Sequence, residues 1–312
     1  MEAAEKLRRS LLVTQELQSV VKTMKALAGV NIRQYEKAAH AVAAYNRTIE
    51  MGLQIALQRM PAPAISPNYD TRKLGAVVFG SDQGMCGQLN DQVVSYSLRA
   101  LGKLAARRDN QVTIAVGVRA ASQLEAEGKQ VEQTVDVPAS IGGIGAAVEQ
   151  VLRTIEDWHS NRGIESVALF YARPVSGAWY RTRGVLVLPL DARWIHSLRV
   201  KPWPSKVIPM YKLDEERLFA SLVREYLFVS LFRAFAESLA SENASRLASM
   251  QVAEKNIEER LRVLSTTSRR LRQETITAEL LDMISSFEAL EKEKARRNPP
   301  ASRGPASPAG AN

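Results

Sequence analysis

The chain has 312 residues, enough for one large domain or two ordinary ones with a well-buried core. Hydrophobic residues at 46% and charged residues at 24% are ordinary globular values, while aromatics at only 6% leave a composition that leans helical. The formal charge of +9 is spread too thinly for a nucleic-acid binder; the lone cysteine, Cys86, excludes an internal disulfide and a cysteine zinc cage; and no run approaches the roughly 18 to 20 apolar residues of a membrane span.

From Met1 to Met60 there is no proline, and only Gly29 and Gly52 interrupt a helical composition. The opening MEAAEKLRRSLL carries two glutamates where a transit peptide avoids acid. Steps of seven from Leu7 give Thr14, Val21, Ala28, Tyr35, Val42, Ile49 and Ala56, and a companion series gives Leu17, Met24, Asn31, Ala38, Tyr45 and Gly52. This is an a/d seam and predicts a long helix over 1–60. Residues 61–73 read as a linker.

Residues 74–200 switch to short apolar runs, LGAVVFG, QVTIAVGV, VEQTVDV, SVALFYA and GVLVLPL, alternating with helical patterns near Gln92 to Arg107 and Gly145 to Trp158. Strands alternating with helices predict a small α/β domain with a largely parallel sheet. After the first strand, SDQGMCGQLN stands where α/β proteins often hold a phosphate, yet it lacks the lysine and hydroxyl of a phosphate loop, which favours a strand-to-helix turn with Asn90 or Asp91 as cap. SIGGIGAAVEQ mimics a dinucleotide fingerprint, with Gly143 and Gly145 at a helix start, but Val148 occupies the third small position. His40, His159 and His196 have no i, i+4 partner, so no metal is expected, and no catalytic constellation emerges.

A linker over 201–210 leads to 211–297, which lacks proline and glycine and repeats Leu247, Met250, Ile257, Leu261, Leu264 and Leu271 on 3-4 spacing. Two lone long helices fray, so the economical arrangement pairs them, antiparallel because the chain must leave and return. Thr14, Asn31, Glu254, Ser268 and Thr275 weaken the seam. Lys22, Lys25 and Arg33, with Arg269, Arg270 and Arg272, read either as a contact for an acidic protein loop or as a solvated face. The tail over 298–312, rich in proline, alanine and glycine, is expected to be disordered.

Three stretches resemble the γ subunit of F-type ATP synthases, the central rotor shaft. LQSVVKTMKALAGVNIRQYEKA is similar to that family's opening helix with its Lys-x-Met-Lys element, here Lys22, Thr23, Met24 and Lys25. SDQGMCGQLN is similar to its Ser-Asp-Arg-Gly-Leu-Cys-Gly-Gly-Leu-Asn loop, with Gln83 in place of Arg and Gln88 in place of Gly. AFAESLASENASRLASMQVAEKN and RRLRQETITAELLDMISSFEAL resemble its C-terminal block. LQSVVKTMKALA and YNRTIE are similar to the alternate, N-type F-ATPases of some bacteria and archaea, which leaves H⁺ and Na⁺ both open as the coupling ion.

The resemblance implies a long antiparallel coiled coil of the N- and C-terminal helices with an inserted, Rossmann-like α/β domain. It implies a non-catalytic rotor with no cofactor, working inside an α3β3 hexamer above an ε subunit and a c-ring, on the cytoplasmic face of a bacterial inner membrane, with the membrane met only through the c-ring. Lys22, Met24, Lys25 and Cys86 would contact the lever loops of β. Leu7, Leu11, Leu271, Ile276, Leu280 and Ile284 would form the shaft tip. The alternatives are a stand-alone coiled-coil adaptor with an α/β head and a nucleotide-binding enzyme using SDQGMCG or GGIGAAV.

Overall fold

The computed structural model describes residues 2–59, 73–104, 110–175, 180–207 and 209–297. The elements in chain order are α1 (Glu2–Arg59), β1 (Leu74–Phe79), α2 (Leu89–Leu104), β2 (Gln111–Val116), α3 (Val118–Ala126), β3 (Gln133–Val135), α4 (Ile141–Arg162), β4 (Ser166–Pro174), β5 (Tyr180–Leu188), α5 (Ala192–Val200) and α6 (Glu215–Arg297). The linker expected over 61–73, save Lys73, and the tail expected over 298–312 lie outside the described residues. The chain divides into two compact units, residues 20–254 and the terminal portions 1–19 with 255–312.

In the larger unit the five strands lie in the order β3-β2-β1-β4-β5. β1 pairs in parallel with β2 and β4, β3 joins β2 in parallel, and β5 runs antiparallel to β4 at the edge. All six residues of β1 are buried, as a central parallel strand requires. Alternate side chains go to opposite faces: Val77 and Phe79 join Val148, Leu152, Leu231 and Phe235 on one face, while Ala76 and Val78 join Val93, Leu101, Ala120 and Leu124 on the other. One face therefore packs α4, α1 and α6, the other α2 and α3. A third cluster joins Leu53 and Leu57 of α1 to Ile195 and Leu198 of α5.

Within this unit α1 and α6 run antiparallel. Lys25 pairs with Glu254, Asn31 faces Asn243 at 3.5 Å, and Tyr45 donates to Glu225 at 2.9 Å, so rising numbers on one helix meet falling numbers on the other. The first heptad series is the seam: Val21, Ala28, Tyr35, Ile49 and Ala56 are buried. Its companion is shallower, with Tyr45 48% exposed.

Several boundaries differ from expectation for local reasons. Gly117, at φ 99°, turns the QVTIAVGV run into α3, a helix that apolar counting over so short a span does not reveal. The VEQTVDV run keeps only three strand residues, and the Val137 amide donates to Asp82 Oδ2 at 2.8 Å. β5 begins at Tyr180, earlier than its apolar half, because its polar residues pair with β4 along an edge. α4 extends to Arg162 and stops at Gly163, left-handed at φ 63°. α5 is a further helix not read from the pattern.

In the smaller unit two of the polar seam residues, Thr14 and Thr275, bond within their own helices. Thr14 bonds the Ser10 carbonyl at 2.6 Å and Thr275 bonds the Leu271 carbonyl at 2.9 Å. Such hydroxyls need no cross-helix partner.

Candidate functional site: the loop after β1, the polar block of α6 and the exposed helix faces

The loop following β1 is closed by its own groups. Asn90 accepts the Ser81 amide at 3.0 Å through Oδ1 and donates through Nδ2 to Ser81 Oγ at 2.9 Å, while Ser81 Oγ donates to the Gln83 carbonyl at 2.9 Å. Asp82 is the second brace. Its carboxylate accepts the Val118 amide at 2.9 Å and the Val137 amide at 2.8 Å, so the N-terminal end of α3, where an anion would be attracted, already holds a carboxylate. A phosphate would meet occupied donors and a repelling charge.

Cys86 is buried at 2% exposure, its sulfur 3.4 Å from Ser81 Oγ. The thiol packs within the chain's own core, beside Ser81 and Asn90. The loop presents Gln83, Met85, Gly87 and Gln88 outward instead. Met85 is 61% exposed and held at φ 63°.

The loop rests on α6. Ser245 donates to the Cys86 carbonyl at 2.5 Å, and a Cβ added at Gly87 would stand 3.2 Å from Ser245 Oγ. Four residues earlier, Ser241 Oγ reaches the Ala172 carbonyl at 3.0 Å. Between them Glu242 is 5% exposed and paired with Arg246 at 2.5 Å. Burial raises the Glu242 carboxyl above its ordinary value, Arg246 opposes this, and Asp82 adds to it. One turn before Ser241, Glu237 is likewise buried and takes Arg233 at 2.9 Å and Arg173 at 3.5 Å. Burial and then Glu237 push the Tyr171 phenol up to about 12. Periodicity alone singles out none of Asp82, Glu237, Ser241, Glu242 or Ser245; the available signal is a run of polar side chains, SENASR, inside a helix whose neighbouring turns are apolar.

On α1, Lys22 is exposed, Met24 is half-buried, and Lys25 is half-buried against Glu254. In the terminal unit Leu7, Leu11 and Leu271 are half-buried. Ile276, Leu280 and Ile284 are 47%, 52% and 54% exposed, and Phe287 follows at 67%. A line of large apolar side chains left in water is unusual for a free monomer.

A family model described as ATP synthase matches residues 3–290. The chain belongs to the ATP synthase family. Its similarity runs to the ATP synthase gamma chain of Desulforamulus reducens, 24% identical over 302 residues covering 93% of this chain and all of the relative, and to that of a Sulfurovum species, 22% identical over 300 residues covering 92% and 99%. In fold it resembles a chain from the Euglena gracilis mitochondrial ATP synthase, OSCP/F1/c-ring, at TM-score 0.60 with 17% identity, covering 98% and 99% of the two chains. A chain from the central stalk and c-ring of the Tetrahymena thermophila mitochondrial ATP synthase matches at TM-score 0.53 and 19% identity, covering 75% and 99%. The γ-type resemblance read from three short stretches thus extends over nearly the whole chain, and the ATP synthase relatives share its plan of long terminal helices around a small mixed sheet. Neither the adaptor nor the nucleotide-enzyme alternative is favoured by these matches.

Proposed function

We propose that this chain is the central-stalk rotor of an F-type ATP synthase, coupling ion-driven rotation to conformational change at catalytic sites carried by other subunits. The observation that carries the reading is the antiparallel pairing of α1 with α6, fixed by Lys25–Glu254 and Tyr45–Glu225, in a chain matched by the ATP synthase family model from residue 3 to 290. The partners are an α3β3 hexamer, an ε subunit and a c-ring, at the cytoplasmic face of a bacterial inner membrane.

The chain itself is non-catalytic in this reading. In the SDQGMCGQLN lookalike the Ser81, Asn90 and Val118 donors are engaged internally, and rotation acts by biasing partner subunits among states of different nucleotide affinity. Lys22, Met24 and Lys25 meet acidic lever loops, and the outward residues of the 81–90 loop lie against the same partner. Leu7, Leu11, Leu271, Ile276, Leu280 and Ile284 form the tip inside an apolar sleeve, a role supported by the exposure of Ile276, Leu280 and Ile284. The N-type assignment, read from LQSVVKTMKALA and YNRTIE, belongs to the same proposal.

The test is purification of the tagged full chain from its native cell. Recovery of α and β subunits in a stable complex with ATPase activity is expected. Recovery of the chain as a well-folded species without them would overturn the rotor reading.

A further inference from the structure

The β4–β5 hairpin carries a concentration of positive charge that folding alone does not explain. Arg173 stands directly opposite Arg181 across the two strands, and Tyr171 stands opposite Arg183. Alternate residues of a strand share a face, so Tyr171, Arg173, Arg181 and Arg183 all project to the side on which Tyr171 packs with Phe79 and Phe235. Arg233 of α6 joins them there. The one carboxylate among these groups, Glu237, already serves Arg233 and Arg173. Among the described residues Arg181 and Arg183 have no ion-pair partner, and both are exposed. Like charges placed directly opposite in a ladder oppose pairing, so the arrangement costs the isolated chain stability.

Arg183 and Arg233 line a cleft of about 240 Å³ with Tyr171, Ser230 and Asn46. Glu50 and Asp191 line it too, but at its far end. By the α1–α6 pairing Arg233 lies level with about residue 40 of α1, so the backbone of Glu50 is roughly 15 Å further along; its carboxylate accepts from Asn46 at 2.8 Å and acts with Asp191 on Tyr226, whereas Arg183 and Arg233 act on Tyr171. The cleft is positive at the hairpin and negative away from it.

β5 is also the edge of the sheet, and no strand pairs with its outer side among the described residues. Its exposed arginines are two positions apart, about 7 Å along the strand, which is also the spacing of same-face side chains on any extended chain laid beside it.

We propose that edge strand β5 receives an extended acidic segment of a partner protein, whose carboxylates at alternate positions meet Arg181 and Arg183. Main-chain ladder bonds supply attachment, and guanidinium forks supply the choice of carboxylate. Arg173 and Arg233 stand behind them and hold the local potential positive. This surface is separate from Lys22 and Lys25, and the inference does not rest on the rotor reading.

The test uses the full chain and a labelled nine-residue peptide of alternating Glu and Thr, followed by fluorescence anisotropy at low and high salt. Salt-sensitive binding is expected, weakened at least tenfold by Arg181→Gln with Arg183→Gln. Arg99→Gln with Arg153→Gln removes the same charge elsewhere and should change it less than twofold. Equal loss in both double variants, or no binding by the parent chain, overturns the proposal. So does Arg181-dependent binding of inorganic pyrophosphate or phosphatidylglycerol vesicles without binding of the peptide. The Tm of Arg181→Gln should hold or rise; a fall in Tm alongside lost binding would mean that the arginines serve the fold alone.

Discussion

Ser245 of α6 donates its hydroxyl to the main-chain carbonyl of Cys86 at 2.5 Å, joining positions 159 residues apart in sequence. The same carbonyl receives the Leu89 amide at a longer 3.4 Å, so Ser245 is its principal partner. The bond fixes where the loop after β1 sits on the long helix, and with it the outward display of Met85 and Gln88.

Ser245→Ala should therefore loosen the loop without unfolding the sheet. The Leu89 amide still satisfies the carbonyl in part, which sets the expected loss near 1 kcal/mol, the low end for a buried bond. Cys86 is the built-in reporter, being buried in the parent chain. Its labelling by an aromatic disulfide reagent should quicken several-fold in the variant at unchanged global Tm within a few degrees. An unchanged labelling rate would mean that the packing of Leu89 and Val93 holds the loop by itself.

Gly117 allows a sharper prediction. Its φ of 99° is one that side chains rarely adopt, and a Cβ built there would stand 2.7 Å from the backbone of Ser81. Ser81 cannot retreat, because its amide, hydroxyl and carbonyl are all engaged, by Asn90, Gln83 and Arg119. Gly117→Ala should cost about 2–3 kcal/mol from backbone strain and displacement together. Chemical denaturation measures it, and a midpoint equal to the parent's would refute the account.

The two long helices and the buried strand β1 are legible because burial repeats along them. The seam from Val21 to Ala56 follows a period of seven, and LGAVVF is apolar throughout because both faces are covered. What escaped the pattern depends on partners distant in sequence. Asp82 reads as an ordinary loop acid until β2 and β3 bring the Val118 and Val137 amides to it. Cys86 gives no sign of what anchors its loop until Ser245 meets its carbonyl. Glu237 and Glu242 look like solvated helix charges until the hairpin and the loop cover them. In each case the covering element, not the residue's own neighbours, decides the role.

Tyr171 makes the chain's stability sensitive to alkaline pH. Its phenol is pushed from 10.0 up to about 12 in the folded chain, chiefly by burial and then by Glu237. A raised folded value favours the protonated form, so the associated stability is fully present below pH 10 and is lost as pH rises toward 12. Across that window stability should fall more steeply in the parent than in Tyr171→Phe, by about 1 kcal/mol per pH unit for one proton. Denaturant midpoints of the two proteins at matched pH measure the difference, and parallel curves would deny Tyr171 this part.

Lys22 and Lys25 differ in what they do for the isolated chain, and that difference separates fold from coupling. Lys25 pairs with Glu254 and is partly shielded, whereas Lys22 is exposed. Lys25→Glu should destabilise the chain by about 1 kcal/mol, since a half-exposed pair contributes little and its reversal sets two carboxylates together. Adding Glu254→Lys should restore stability. Lys22→Glu should leave Tm within a degree. In the reconstituted complex both Lys22→Glu and the stable Lys25→Glu/Glu254→Lys pair should lower ion pumping per ATP hydrolysed, because under the proposed contact each reverses the charge that position 22 or 25 offers to an acidic partner loop. Should the doubly reversed pair pump as the parent does, Lys25 would belong to the helix pair alone, and the partner contact would fall to Lys22.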